Sequence, residues 1–304
     1  MEERGTFVSV TGAELERRLW PAQAAPRGVV QLVHGMAEHI DRYDDTARAL
    51  SAAGFTVVGH THLGHGTRAA TKGYFAPEGG WEALVADVHA LRVQCQAEFG
   101  RLPYFLLGHS MGSFVVRSYC LRHESGLSGV VLSGTGHFET PQLALGSGLA
   151  ALLCAVGRAR KPSPLLQRLS SVGYLKRYEQ VRTPFDWLSR DPDQVARYVA
   201  DPECGFPFTA GGYRDMFNGL KGLLPQKLTG LRPEVPVLLF SGDMDPVGGF
   251  GAGVKAVAEE LRAAGVEEVE VKLYLGGRHE MFNELNRQEV MEDLLVWLEQ
   301  RLFD

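Results

Sequence analysis

The sequence predicts an α/β protein: a mostly parallel central sheet with helices on both faces and a helical segment inserted late in the chain. Three observations carry this. Short β-branched runs bounded by turn residues, GVVQLV at 28–33, GVVLS at 129–133 and VPVLLFS at 235–241, have the composition of strands buried on both faces. Stretches with helical spacing separate such runs, and that alternation specifies a parallel sheet covered on each side. Between 136 and 233 the alternation stops. Prolines such as Pro162, Pro164 and Pro184 punctuate short helical pieces there, in a stretch too long for a plain loop. The expected organisation is a sheet core over 1–135 and 234–304, with a helical cap over 136–233.

The elements follow in order. Residues 6–20 carry Thr11-Gly12 between two strand-like runs, the pattern of an antiparallel hairpin at a sheet edge. After the strand at 28–33, residues 43–53 have helical spacing and Gly54 stands where a C-cap glycine belongs. Strands are expected at 55–59, 104–108, 129–133, 235–241 and 269–274. Helices are expected at 81–99, 110–123 and 253–264, with an amphipathic helix at 285–302.

Composition bounds the function. Apolar residues make up 45% of the 304 and charged residues 22%, ordinary values for a globular enzyme. A formal net charge of -5 without a Lys/Arg block argues against a nucleic-acid partner. Cys95, Cys120, Cys154 and Cys204 are scattered and form no CxxC pair, as expected of thiols in a reducing compartment. The first residues, Met1-Glu2-Glu3-Arg4, do not have the look of a secretory signal, so a cytoplasmic location is expected. The longest apolar stretch, 143–157, is interrupted by Gly and Ser and is expected to be too short to span a bilayer.

The chemistry-bearing pattern starts at Gly108-His109-Ser110-Met111-Gly112, a GxSxG pentapeptide between an apolar strand and a helix. A serine on so sharp a turn sits in strained backbone, which small neighbours permit, and the helix N-terminus favours negative charge beside it. Serine is a weak nucleophile until a base takes its proton, so a histidine and an orienting carboxylate should follow in the order Ser, Asp or Glu, His. Gly242-Asp243-Met244-Asp245-Pro246 follows one strand and Gly276-Gly277-Arg278-His279 follows the next. Both positions lie beyond carboxyl strand ends, where open α/β sheets place their sites. Asp245, farther out and stiffened by Pro246, is preferred over Asp243 as the acid. The oxyanion hole needs two backbone N–H groups aimed at one point. Met111 supplies one, and Met36, in the turn after the first buried strand, is the natural second.

HGMAEHIDRY (34–43), LGHG (63–66), GHSMGS (108–113), GDMDPV (242–247) and GGRHEMFNE (276–284) together resemble the monoacylglycerol lipase and lysophospholipase branch of the α/β-hydrolase-fold serine hydrolases. The resemblance implies that Ser110, Asp245 and His279 form a catalytic triad, with the amides of Met36 and Met111 as oxyanion donors. It implies a medium- or long-chain acyl ester as substrate and no cofactor. One loop departs from the pattern: Thr61 and Leu63 stand where relatives commonly carry Asp and Arg.

An acyl chain is expected to lie along the cap, with Leu143, Leu145, Leu149 and Leu152 as an apolar stripe that lines the site or packs in the core. Transient contact of the cap with a membrane surface is also expected. Several alternatives stay open. His60, His62 and His65 have a spacing that metal ligands can use, although no metal is expected because the glycine-rich turn explains them. The same fold hosts ligand-binding receptors and scaffolds, and a triad also permits acyl transfer to an alcohol or generalist carboxylesterase activity.

Overall fold

In the computed structural model, which describes residues 2–123 and 125–302, eight strands form one sheet in the order β1-β2-β4-β3-β5-β6-β7-β8. The first two, β1 (Glu3–Val8) and β2 (Glu14–Trp20), make the expected edge hairpin, and β2 also runs antiparallel to β4 (Phe55–His60). From β4 onward every pairing is parallel: β3 (Gly28–Val33), β5 (Tyr104–His109), β6 (Gly129–Ser133), β7 (Val237–Gly242) and β8 (Val269–Tyr274). Strands β3 to β7 are buried along their whole length, which is why they read as apolar runs without polar alternation.

The two sheet faces carry separate cores because successive side chains point opposite ways. Along β5, Tyr104 and Leu106 join one cluster while Phe105 and Leu107 join the other. The first cluster packs beneath α2 (Gly80–Phe99), α3 (Met111–His123) and α8 (Ala252–Ala263). The second packs beneath α1 (Asp44–Ala52) and α9 (Arg287–Gln300), where Trp297 meets Phe105 edge-on at 6.4 Å. Gly129 on β6 leaves room for that indole: a Cβ there would fall 2.6 Å from Trp297 Cη2.

Between β6 and β7 the chain leaves the sheet and forms α4 (Thr140–Leu153), α5 (Pro164–Ser170), α6 (Pro192–Ala200) and α7 (Ala210–Lys221). The insertion is seated through α7, where a Cβ on Gly219 would overlap the Trp81 indole of α2. The apolar stretch corrects one expectation. It continues as a helix over Thr140–Arg158, 19 residues, which is long and apolar enough to cross a membrane by length and composition. Only 17% of its apolar window is buried, and its last turn opens at Val156 and Gly157 (φ 79°).

The parallel register brings the carboxyl ends of the central strands to one edge. Val33 is level with Gly108, and His109 with Ser133. The turns after β3, β5, β7 and β8 leave from that edge, and these are the turns that carry Met36, Ser110, Asp245 and His279.

Replacing Trp297 with Ala is expected to lower unfolding free energy by about 3–5 kcal/mol. A urea midpoint shifted down with an unchanged slope is the readout.

Candidate active site

Ser110 stands alone between β5 and α3, with φ 51°, one of three non-glycine residues in the left-handed region among those described. A side chain there costs about 1–2 kcal/mol, so the surroundings must impose the geometry. Its N–H bonds to the Ser133 carbonyl at 2.9 Å, and its own carbonyl accepts from Ser113 N at 2.9 Å and Ser113 Oγ at 2.6 Å. The glycines make the turn sterically available. A Cβ on Gly112 would overlap the carbonyl oxygen of Val33, and one on Gly108 would lie 2.5 Å from the Gly112 carbonyl oxygen.

Asp245 is fully buried. Its Oδ2 accepts from Ser241 Oγ at 2.7 Å and faces His279 Nδ1 at 2.9 Å, and its Oδ1 accepts from Val247 N at 2.8 Å. Burial alone would raise this carboxyl, but His279 and these donors outweigh it and hold it below the usual carboxylate range. Asp243 is engaged elsewhere, accepting from Gly276 N at 2.7 Å in the neighbouring loop. Of the two acids, Asp245 is the one paired with the imidazole.

His279 is equally buried, its ring 4.9 Å from Trp187 and 4.7 Å from His109. Burial lowers its pKa, yet the Asp245 carboxylate more than compensates and leaves it raised above the ordinary 6.5. Its Nε2 is buried without a hydrogen-bond partner, so Ser110 Oγ does not donate to it in this conformation. The ring lies against Gly134, the residue after the Ser133 carbonyl that holds Ser110.

The turn after β3 reaches the same place. A Cβ on Gly35 would sit 3.1 Å from Ser110 Cβ, and Met36 follows it, half-buried. Met111 opens α3, whose first N–H groups have no acceptor within the helix. Imidazoles and a carboxylate fix the Met36 turn. Gly35 N donates to Glu38 Oε1 at 2.6 Å and Ala37 N to His65 Nε2 at 3.1 Å. His34 donates from Nδ1 to the Gly35 carbonyl at 2.8 Å and accepts from His62 N at 2.9 Å, an arrangement only a neutral ring can make.

The GHTHLGHG loop therefore supports the Met36 turn. Both ring nitrogens of His65 are committed, Nε2 to Ala37 N and Nδ1 to the Leu63 carbonyl at 3.0 Å. The nitrogens of His60 and His62 are buried without protein partners, the rings 5.0 Å apart. Burial lowers His60 and His65 to about 4, and burial and neighbouring imidazoles hold His34 and His62 well below 6.5.

Residue-by-residue reasoning missed a buried charged bridge. Arg42 grips Glu280 with two bonds of 2.7 Å and also pairs closely with Glu38, which accepts from Tyr43 at 2.8 Å. It thus ties the Met36 turn to the residue beside His279. Its signal was present in HGMAEHIDRY as charges inside an otherwise buried turn. The insertion also reaches the histidine loop: Arg278 donates to the carbonyls of Asp186 and of Ser189 (3.0 Å), and Glu284 accepts from Arg190 Nε at 2.8 Å.

Leu143 does not belong to the leucine stripe. Leu143 is buried and Leu149 half-buried, whereas Leu145 and Leu152 are 74% and 61% exposed. At about 100° per residue Leu145, Leu149 and Leu152 fall within about 60° of one another on α4, while Leu143 points about 120–180° away from them into the core.

The sequence pattern of the family described as Serine aminopeptidase, S33 matches residues 24–286. The chain is 31% identical over 296 residues to a monoacylglycerol lipase of Mycolicibacterium smegmatis, covering 96% of this chain and 95% of that one. Among solved structures it is similar to a highly thermostable carboxyl esterase from Bacillus coagulans in complex with glycerol. There the TM-score is 0.93 and the identity 31%, with 99% of each chain covered. A lipase in its open form gives a TM-score of 0.91 at 29% identity, with both chains covered fully.

Because the unfolded chain takes up protons near 6.5, while folded His60 and His65 do so only near 4 and folded His34 and His62 well below 6.5, stability should be complete above pH 6.5. It should fall steadily as pH drops toward 4. Thermal midpoints across that interval are the check; a flat profile would contradict neutral His34, His60, His62 and His65.

Proposed function

This chain belongs to the serine aminopeptidase S33 family of α/β-hydrolase-fold serine hydrolases, and from that premise we propose that it cleaves carboxylic esters of acylglycerol or lysophospholipid type through an acyl-enzyme. The observation that carries this is the buried Asp245–His279 pair, with Nε2 unengaged, beside a serine held in left-handed backbone. The substrate class rests on the lipase and esterase relatives and on the apolar insertion.

In the proposed reaction Ser110 Oγ attacks the ester carbonyl while His279 Nε2 takes its proton. Asp245 steadies the resulting imidazolium through Nδ1–H, and the N–H groups of Met36 and Met111 receive the oxyanion. His279 then returns the proton to the departing alcohol and activates the water that releases the acid. The bond from Ser110 to His279 is open here. The proposal requires it to close around substrate, as catalytic hydrogen bonds commonly tighten only in the reacting complex.

We further propose that the insertion covers the site and rests on lipid. Leu145, Leu152 and Val156 are exposed on the apolar helix, and residues 140–182 carry seven Lys or Arg against a single acid, Glu179. In a chain of net charge -5 this is an apolar surface with a local positive field, which suits anionic headgroups.

Ser110→Ala should lower kcat/KM on p-nitrophenyl esters by at least about 10⁴-fold with the fold intact, and Asp245→Asn by about 10⁴-fold. Asp243→Asn losing as much would transfer the acid's role to that residue. The acid limb of kcat/KM should show an apparent pKa above 6.5, since the base must be neutral; a limb below 6.5 would contradict the Asp245 pairing. A panel varying acyl chain and alcohol separately tests the substrate class, equal turnover of small aryl acetates pointing instead to a generalist esterase.

Sedimentation with vesicles of equimolar phosphatidylcholine and phosphatidylglycerol should pull the protein down, and high salt should release it. Leu145→Glu/Leu152→Glu should stay in the supernatant. Equal binding of this variant would remove α4 from the contact.

A further inference from the structure

Three side chains of metal-ligand type meet where the far end of the Met36 turn after β3 touches the insertion. His39 Nε2 stands 2.8 Å from Asp201 Oδ2, and Cys204 Sγ completes a group whose ligand atoms all lie within 4.8 Å of one another. We propose that His39, Asp201 and Cys204 form a binding site for a thiolate-accepting divalent cation of the zinc class.

Imidazole nitrogen, carboxylate oxygen and thiolate sulfur are the donors zinc takes, and three protein ligands leave the fourth tetrahedral position to water. Ligand atoms around one zinc sit about 3.3–3.8 Å apart. The His39–Asp201 hydrogen bond therefore has to open by about half an ångström, which the cation offsets by replacing it with two coordinate bonds.

Local structure already orients the donors. Asp201 caps the end of α6, its Oδ1 accepts from Glu203 N at 2.8 Å, and Cys204 N bonds to its carbonyl at 3.0 Å. That tight turn puts the carboxylate and the thiol on one side. The side chains of His39 and Asp201 are 15% and 29% exposed, enough for an ion to enter. Arg42, stacked on Tyr198 of the same helix, already has its charge taken up by Glu38 and Glu280.

Binding balances simply. Cys204 loses its Sγ proton to solvent, and His39 shifts its ring proton to Nδ1 and offers the Nε2 lone pair. One proton is released per cation. The cation joins segments 162 residues apart in sequence, next to Gly205, whose N–H holds the Ala37 carbonyl at 2.9 Å. A ligand bound only by the folded state raises its stability.

The test uses the intact protein and the metals alone. Cobalt(II) should produce a sulfur-to-metal charge-transfer band in the near ultraviolet with one-to-one stoichiometry. Zinc should raise the thermal midpoint. Cys204→Ser should abolish both and Asp201→Asn should weaken both, while Cys154→Ser leaves both unchanged. Absence of the band in the unsubstituted protein overturns the site. A band surviving Cys204→Ser, or a zinc-dependent shift indifferent to both Cys204→Ser and Asp201→Asn, overturns it equally. Hydrolysis of esters is not the readout, so the result is independent of the proposed activity.

Discussion

Close approach of α3 to the end of β3 is the constraint from which the site's geometry descends. Where Gly112 meets the carbonyls of Val33 and His34 there is no space for a side-chain carbon. That contact allows the chain to leave β5, reverse through one left-handed residue and enter a helix without a longer loop. It also draws the turn carrying Gly35 and Met36 against Ser110. The strain at residue 110 is thus imposed by packing on both sides, and hydrogen bonds donated by Ser113 and accepted by the Ser133 carbonyl maintain it.

Around this elbow the protein handles burial of titratable groups in two ways. Charged side chains are matched: Arg42 against Glu38 and Glu280, Asp245 against His279. The imidazoles of residues 34 and 65 are instead kept neutral, with one nitrogen donating and the other accepting. A buried pair with one member missing leaves an uncompensated charge, at a penalty of about 3–5 kcal/mol. The Arg42 bridge consequently serves both edges of the site at once, since it binds the turn of residue 36 and the loop of residue 279.

Much of this was legible in sequence because it is local. The buried strands announce themselves by composition, and the elbow by glycines at fixed offsets around a serine. The order of Ser110, Asp245 and His279 follows from strand order. What stayed hidden is long-range. Nothing in the spacing of residues 42 and 280 says that they meet, and the grip of Arg278 on residues 186 and 189 joins distant segments. The support that His34 and His65 give the Met36 turn is likewise invisible in spacing, which reports neither ring direction nor partner. The four leucines of α4 read as one stripe because all are apolar, but Leu143 faces the core while the other three share a different face.

Midway through the insertion, between α5 and α6, residues 186–190 touch the histidine loop and are gripped there by the side chains of Arg278 and Glu284. The helical segment is therefore not a detachable hat. A minimal version of this fold, with the excursion replaced by a short connector, would keep its sheet and its elbow while the stretch that presents His279 lost its outer wall. Grafting a foreign excursion onto this scaffold would succeed only if the graft brought its own version of that strap.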